Sequence, residues 1–459
     1  MKGHNLWSYA PYKPLLYDDA DIYICRVVPY EDKIHFEWLK KDENTYSIFY
    51  RERNKGEFIH FADVESNECD ILNLKKDTDY EFYVTSGGKK SRTRLARCNK
   101  SVGVVVNYLH PEDEAYGFSG HYLCSPSLLY HPDGYLLASM DVFAFEHPQN
   151  LTLIFRSFDM GKTWHYVSEL MPCFWGKMFL HKGEIYMIGC STEYGDLLIS
   201  KSTDGAKTFG APVVLLRGTN GKDGKCGCHT NPQDVVYFNG RIYRSFEWGN
   251  WACNEFHHAA MVMSCDENDD LLVPENWTFS YPKTFNPKDA PEISDMKAYT
   301  MTIEGTLCIS PDNKLLNVMR FEKKGHALVY EVDTQNLDAP LKYSYCMPFN
   351  ANNSKFTIKY DKISKKYYTI ANYIFDYEKV RARNYQVLMK SDDLKNWEIA
   401  KELIDYRDDD HEKIGFQYVS FEFLGDDIIY LSRTAINNAN SFHNTNYSTF
   451  HKIENFRKY

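Results

Sequence analysis

The chain has 459 residues, enough for two or three domains with a sizeable core. Its formal net charge is −10 and no basic block offsets it, which argues against a nucleic-acid partner. Aromatic residues make up 15%, with 35 Tyr and 28 Phe, a composition that suits strands and sugar-stacking surfaces better than helical bundles. A negative surface still permits an anionic substrate, because a local arginine cluster can dominate a cleft. No stretch approaches the ~18 apolar residues of a membrane span. The start, Met1 to Trp7, has no apolar signal region, so the expected location is cytoplasmic, or secreted or periplasmic if a signal peptide has been removed. Twelve Cys at irregular spacings read mostly as reduced, buried thiols. Cys226 and Cys228 beside His229 lack a second ligand pair at zinc-like spacing, so neither a metal nor another cofactor is expected.

Residues 1 to about 16 read as an aromatic, Pro-containing lead-in. From 21 to 98 short strands alternate with turns every 8–12 residues: 23–28, 33–38, 46–51, 57–61, 69–74 and 78–84, then Gly87-Gly88. Period-two alternation at this spacing predicts a β-sandwich. Trp38 and the run Leu74-x-x-x-Thr78-x-Tyr80-x-Phe82-x-Val84 resemble a fibronectin type III domain, with Tyr80 as its tyrosine corner. Residues 1–99 are therefore assigned to a fibronectin-like sandwich, and 100–459 to a second domain.

That second domain is organised around a turn motif, Ser157-x-Asp159-x-Gly161-x-Thr163-Trp164, an Asp box. Asp159 is expected to accept backbone N–H bonds inside a tight hairpin, with Gly161 at positive φ and Trp164 packing back. A second copy runs from Ser202 to Phe209 and a degraded third from Ser391 to Trp397, with Asp204 and Asp392 in the structural position. Met263 to Trp277 reads as a fourth, opened by an insertion. Six segments share the outline strand, short turn, apolar strand: 121–143, 174–191, 229–248, 299–321, 355–373 and 416–435. About 60 residues per unit fits four-stranded propeller blades. The last segment, 447–453, lacks a fourth strand, and 103–109 is expected to supply it and so close the ring. The predicted fold is all-β: a six-bladed β-propeller with an N-terminal β-sandwich.

The Asp boxes and the six-unit period resemble the sialidase (neuraminidase) superfamily over 101–459. The resemblance implies the fold more than the activity, since Asp boxes sit on the blade periphery. In sialidases the first blade opens with an Arg-Ile-Pro motif whose arginine begins a carboxylate-binding triad. The matching stretch here, His121 to Leu129, keeps Pro126 but offers His121 or Tyr122 near the arginine's place. In this it looks closer to propeller lyases and rhamnosidases built around His.

Propeller sites lie where the innermost strands begin. The expected catalytic residues are His121, Tyr122, His229, Glu304 and Tyr418. The expected substrate-binding residues are Trp175, Lys177, Asn231, Arg244, Trp248, His258, Arg320, Gln417 and Arg433. Glu247, Lys355, His257, Arg383, Asn384 and His443 stand nearby in the pattern. A cleft of His, Tyr, Arg and Glu suits an acidic sugar of an oligo- or polysaccharide. Two chemistries fit: elimination from a uronate, with arginine neutralising the carboxylate and His or Tyr moving protons, which is slightly favoured; or retaining hydrolysis, with Tyr418 as nucleophile and Glu304 and Glu247 as the best carboxylates. A non-catalytic glycan-binding propeller is the third reading.

Overall fold

The computed structural model describes residues 22–39, 45–219, 224–253, 256–293 and 301–459. The predicted lead-in, and the Tyr299 that was expected to open one segment, lie outside them. Among the described residues the regular structure is β, apart from three short 3-10 turns at Pro274–Asn276, Tyr377–Lys379 and Phe456–Lys458.

The strands between Ile24 and Arg97 form two antiparallel sheets. One pairs Ile24–Pro29, Ile34–Trp38 and Glu68–Ile71; the other is built on Tyr46–Glu52 and Asp79–Ser86. Trp38, Phe36, Ile48, Phe82 and Val84 are fully buried between them, as alternation requires of the inward face. The Tyr80 hydroxyl accepts the Lys75 N–H at 2.9 Å, tying the turn to the strand that follows it. This core continues into Tyr108, Phe416, Ile436 and Tyr447, so the sandwich packs directly onto the sheets that follow.

Six antiparallel sheets, here called blades, then succeed one another around a ring. Blade 1 runs Tyr122–His131, Tyr135–Phe143, Leu151–Ser157 and His165–Leu170. Blades 2 to 5 span 174–216, 227–279, 302–348 and 358–405. Blade 6 takes Gly415–Leu424, Asp427–Ala435 and Tyr447–Ile453 from the C-terminus and Val104–Tyr108 from before blade 1. The two ends of the propeller are thus hydrogen-bonded in one sheet, which removes an exposed edge. Blades 6 and 1 also meet through Leu128 N–H, which donates to Ser420 Oγ at 3.0 Å.

The Asp-box turns close by local chemistry. Asp159 Oδ1 accepts Thr163 N–H (2.9 Å) and its Oδ2 accepts the Thr163 hydroxyl (2.6 Å), while Ser157 Oγ accepts Gly161 N–H. Gly161 has φ +91°, and Trp164 is fully buried. Asp204 repeats both bonds with Thr208. In the third copy the expectation for Asp392 is corrected: Asp393 accepts Lys395 N–H and Asn396 N–H, while Asp392 is exposed and pairs with Lys366. Asp393 follows Ser391 by the same two residues that separate Asp159 from Ser157, and Leu394 takes the positive φ. In the fourth, Trp277 is fully buried and its indole N–H reaches Leu271 O at 2.9 Å across the inserted loop.

The cysteine expectation also needs one amendment. Ten cysteines are free, nine of them buried, but Cys226 is bonded to Cys253. This pairing removes Cys226 from any metal set with Cys228.

Candidate active site

The first strands of four blades carry the same irregularity. Between Cys124 and Ser127, Phe174 and Lys177, Ile303 and Thr306, and Gln417 and Ser420, one extra residue is inserted against the second strand. The first residue of each bulge, Ser125, Trp175, Glu304 or Tyr418, has φ between 49° and 57°. A left-handed conformation at a bulky non-glycine residue is costly, on the order of 1 kcal/mol or more each, and persists only where packing enforces it. A bulge also re-aims its side chain out of the strand's alternation. In two of the bulges the next residue is a glycine in a tight space: a Cβ on Gly305 would lie 2.3 Å from Asn317 Oδ1, and one on Gly176 2.8 Å from Met187 Sδ.

Two of these bulges are clamped by carboxylates from the preceding blade's second strand. Asp141 Oδ2 accepts Trp175 N–H at 2.6 Å, and Glu247 Oε1 accepts Gly305 N–H at 3.1 Å. Asp141 is fully buried, and that burial pushes its carboxyl up to about 7 against the hydrogen bonds from Thr152 and Trp175.

Glu304 and Tyr418 meet, 114 residues apart in sequence. The Tyr418 hydroxyl donates to Glu304 Oε1 at 2.6 Å, and Arg320 Nη1 donates to Glu304 Oε2 at 2.7 Å. Burial by itself would raise the Glu304 carboxyl, but the Arg320 charge and the hydrogen bonds from Tyr418 and Arg320 hold it below its ordinary value. Burial, and then the Glu304 charge, raise the Tyr418 hydroxyl against three opposing guanidiniums: Arg320, Arg383 and Arg433. The pair at neutral pH is therefore a phenol donating to a carboxylate.

The three arginines surround the phenol. Arg383 and Arg433 lie 5.6 and 5.1 Å from the Tyr418 ring centroid. Arg383 donates to Gln417 Oε1, and Arg433 to His443 O and Thr445 Oγ1. Among the described residues neither has a carboxylate partner, and Nε of both Arg320 and Arg383 finds no acceptor. Burial brings Arg383 down to about 10, and burial with the Arg320 and Arg383 charges brings Lys324 down to about 8. His443 is held well below its ordinary value by burial and then by Arg433 and Arg383. Buried guanidiniums around one carboxylate are costly unless an anion joins them.

An aromatic wall adjoins this cluster. His229 Nδ1 lies 2.6 Å from Glu247 Oε2, and Trp175 meets the His229 ring edge-on at 4.4 Å. His258 Nε2 is 3.0 Å from the Tyr194 hydroxyl, and Trp251 packs against His258 at 4.5 Å. Burial, with His229 and His257 nearby, lowers His258 well below its ordinary value.

The structure brings His229, Glu304, Tyr418, Trp175, His258, Arg320, Gln417 and Arg433 of the expected set around this cleft. Tyr122 stands beside it, packed on Phe143 and accepting Asn440 Nδ2–H at 2.8 Å. Others have different surroundings. His121 pairs with His147 (3.2 Å) and the Asp113 carbonyl, because the bulge that turns blade 1 comes four residues later, at Ser125. Lys177 is buried farther along the axis, 2.6 Å from Asp234. Arg244 is fully buried and binds the carbonyls of Asn231 and Gln233, so it holds that loop, and the Asn231 backbone serves as its acceptor. Trp248 is partly buried against the core between blades 2 and 3. Sequence reasoning missed Tyr194, Trp251, Lys324, and Phe143 and Phe442, which pack against Arg433 and Arg383 respectively; for Tyr194, Trp251 and Phe442 the available signal was an aromatic residue in the loop joining second and third strands.

No protein-family model matches the chain, and no curated protein does. Solved structures do. The Penicillium chrysogenum α-L-arabinanase complexed with arabinobiose is 13% identical, with a TM-score of 0.51 over 78% of this chain and 99% of that one. A Hadza microbial sialidase, 13% identical, gives 0.50 over 97% and 99%. A mutant α-L-arabinofuranosidase from Fusarium graminearum, in complex with an iminosugar inhibitor, gives 0.51 at 14% identity over 77% and 97%. At these identities the likeness is one of fold: this chain has the architecture of the sialidase-like propeller glycosidases.

Proposed function

We propose that the protein is an exo-acting, retaining glycoside hydrolase that removes a carboxylate-bearing sugar from the end of a glycan. One observation carries this reading: Tyr418, bonded to Glu304, stands inside three arginines of which two have no carboxylate partner among the described residues. Arg383 and Arg433 hold the sugar carboxylate in charge-assisted hydrogen bonds. The Tyr418 oxygen attacks the anomeric carbon as its proton passes to Glu304, and the glycosidic C–O bond breaks. His229, its Nδ1 engaged by Glu247, protonates the departing oxygen through Nε2. Water then attacks the glycosyl-tyrosine carbon, giving its proton to His229, and Tyr418 recovers its own from Glu304. Trp175 and the His258–Trp251 wall form the apolar face against which the sugar rests. The sandwich, proposed as a fibronectin type III-like domain over 1–99 with the propeller over 100–459, stands outside this chemistry.

The fold shared with arabinan-, arabinofuranoside- and sialoside-acting enzymes supports glycosidic cleavage, and the arginines support an acidic substrate. The test is incubation with sialyl- and uronate-terminated oligosaccharides, measuring released sugar and the ultraviolet absorbance of an unsaturated uronate. Released acidic sugar without that absorbance is expected. Absorbance would replace hydrolysis by elimination, and release of neutral sugars only would refute the arginine argument.

A further inference from the structure

A second group of chemically competent side chains lies on the sandwich, away from the cleft. His35 and Glu37 stand two residues apart on the strand Ile34–Trp38 and therefore share a face. The neighbouring strand Glu68–Ile71 sets Asp70 opposite His35 and Glu68 opposite Glu37. Two carboxylates directly across a strand pair repel, unless a cation joins them. Arg26 Nη1 bonds Glu37 Oε1, the same oxygen that faces His35 and His165, so Glu37 is compensated and Glu68 is the carboxylate that Arg26 does not reach.

We propose that His35, Glu37 and Glu68 hold a zinc ion, with His165 completing the tetrahedron from the outermost strand of blade 1. Metal–donor bonds of about 2.0–2.2 Å put tetrahedral donor atoms roughly 3.3–3.6 Å apart. His35 Nε2 and His165 Nδ1 are each 3.4 Å from Glu37 Oε1, and Glu68 Oε2 is 4.0 Å from His35 Nε2. One donor atom from each of His35, Glu37 and Glu68 falls within 4.8 Å of the other two. The His165 and Glu68 side chains are about half exposed, at 56% and 51%, free to close the remaining gaps. The outer shell is built too: His35 Nδ1 bonds Asp70 Oδ1 at 2.8 Å, and Lys33 holds Asp70 Oδ2 at 2.8 Å. That is the carboxylate-to-histidine support that orients a metal-ligating imidazole. Two imidazoles and two carboxylates suit Zn²⁺. The ion ties sandwich to propeller, because His165 belongs to blade 1 and the other three ligands do not.

The test uses the full chain, stripped with chelator and titrated calorimetrically with ZnCl₂, with Co²⁺ as the spectroscopic probe. One ion per chain and a tetrahedral cobalt spectrum are expected. His35→Ala and Glu68→Gln should abolish both while leaving glycan cleavage and circular dichroism intact. Asp70→Asn should weaken binding about 10–100-fold, and His165→Ala should change the cobalt spectrum. Sub-stoichiometric zinc, or wild-type affinity in His35→Ala, would overturn the site. An unchanged cobalt spectrum in His165→Ala would overturn the bridge between sandwich and propeller.

Discussion

Replacing Glu304 by Gln separates the roles assigned to the arginine cluster and to the Tyr418–Glu304 pair. The amide keeps the size of the side chain and can still accept from Tyr418 or Arg320, but it cannot take the phenol's proton. General-base assistance contributes about 10²–10⁴-fold, so kcat should fall by that factor, roughly 2.7–5.4 kcal/mol of barrier. Binding should move the other way. Glu304 is the carboxylate bonded to Arg320 beside Arg383 and Arg433, so its loss makes the cleft more cationic, and an acidic product should bind at least as tightly as before. Stability should fall by about 3 kcal/mol, the lower end of the cost of breaking a buried ion pair, since Arg320 keeps the Asn353 carbonyl at 3.2 Å. Steady-state kinetics, calorimetric product binding and urea unfolding read the three effects. Because Glu304 and Tyr418 act together, Glu304→Gln/Tyr418→Phe should be no slower than the worse single variant. A folded Glu304→Gln enzyme within tenfold of wild-type kcat would refute the assignment of the base, and loss of product affinity would refute the electrostatic picture.

Arg383→Ala and Arg433→Ala should each raise KM for a carboxylate substrate by about 10–150-fold, the value of a hydrogen bond to a charged group. The methyl amide of the same sugar should be little affected, which comparative kinetics checks. Asp159→Ala removes the acceptor for two Thr163 bonds and should cost roughly 1–3 kcal/mol in urea unfolding, with unchanged kcat in the folded fraction. Asp141 is raised from 3.8 to about 7 in the fold, so its contribution to stability is fully present below about pH 4 and is lost as pH rises through 7. The difference corresponds to roughly 4 kcal/mol, and Asp141→Asn should be stabilised relative to wild type by up to that amount at pH 8 and by little at pH 4. Paired unfolding curves across that range measure it.

What the sequence discloses depends on how far apart the partners are. The Asp boxes are readable because Ser157, Asp159, Gly161 and Thr163 meet within one turn, and their chemistry is complete in eight residues. The third copy shows the limit of such reading. Asp392 and Asp393 stand side by side there, and the bonds go to Asp393, which keeps the two-residue step from Ser391 that Asp159 has from Ser157; the copy is instead one residue shorter on its Trp397 side. Blade segments are readable because their strand pairs are consecutive, with alternation and Gly or Asn turns. Even the closing strand before blade 1 follows from counting, since the last blade is one strand short. The Cys226–Cys253 bond has no such signal; it joins two loops 27 residues apart, and spacing by itself favoured Cys228.

The cleft is less legible for a physical reason that the bulges make explicit. Sequence can say that a first strand opens near Tyr418 or Glu304, but the direction of those side chains is set by one inserted residue in a left-handed conformation. Glycine and asparagine signal that conformation, whereas Trp175, Glu304 and Tyr418 do not. The strain is borne by the fold: Asp141 and Glu247 clamp two of the bulges from the preceding blade, and Gly305 gives the backbone room. His121 misleads for the same reason, since it begins the first segment while the turn toward the axis comes at Ser125. Of the four bulge residues that break the local rule, three, Trp175, Glu304 and Tyr418, are gathered at the cleft, and Ser125 is the fourth. Relieving the strain by deleting the inserted residue would improve the strand and turn the phenol away from the three arginines, so local stability and the proposed chemistry make opposite demands on this position.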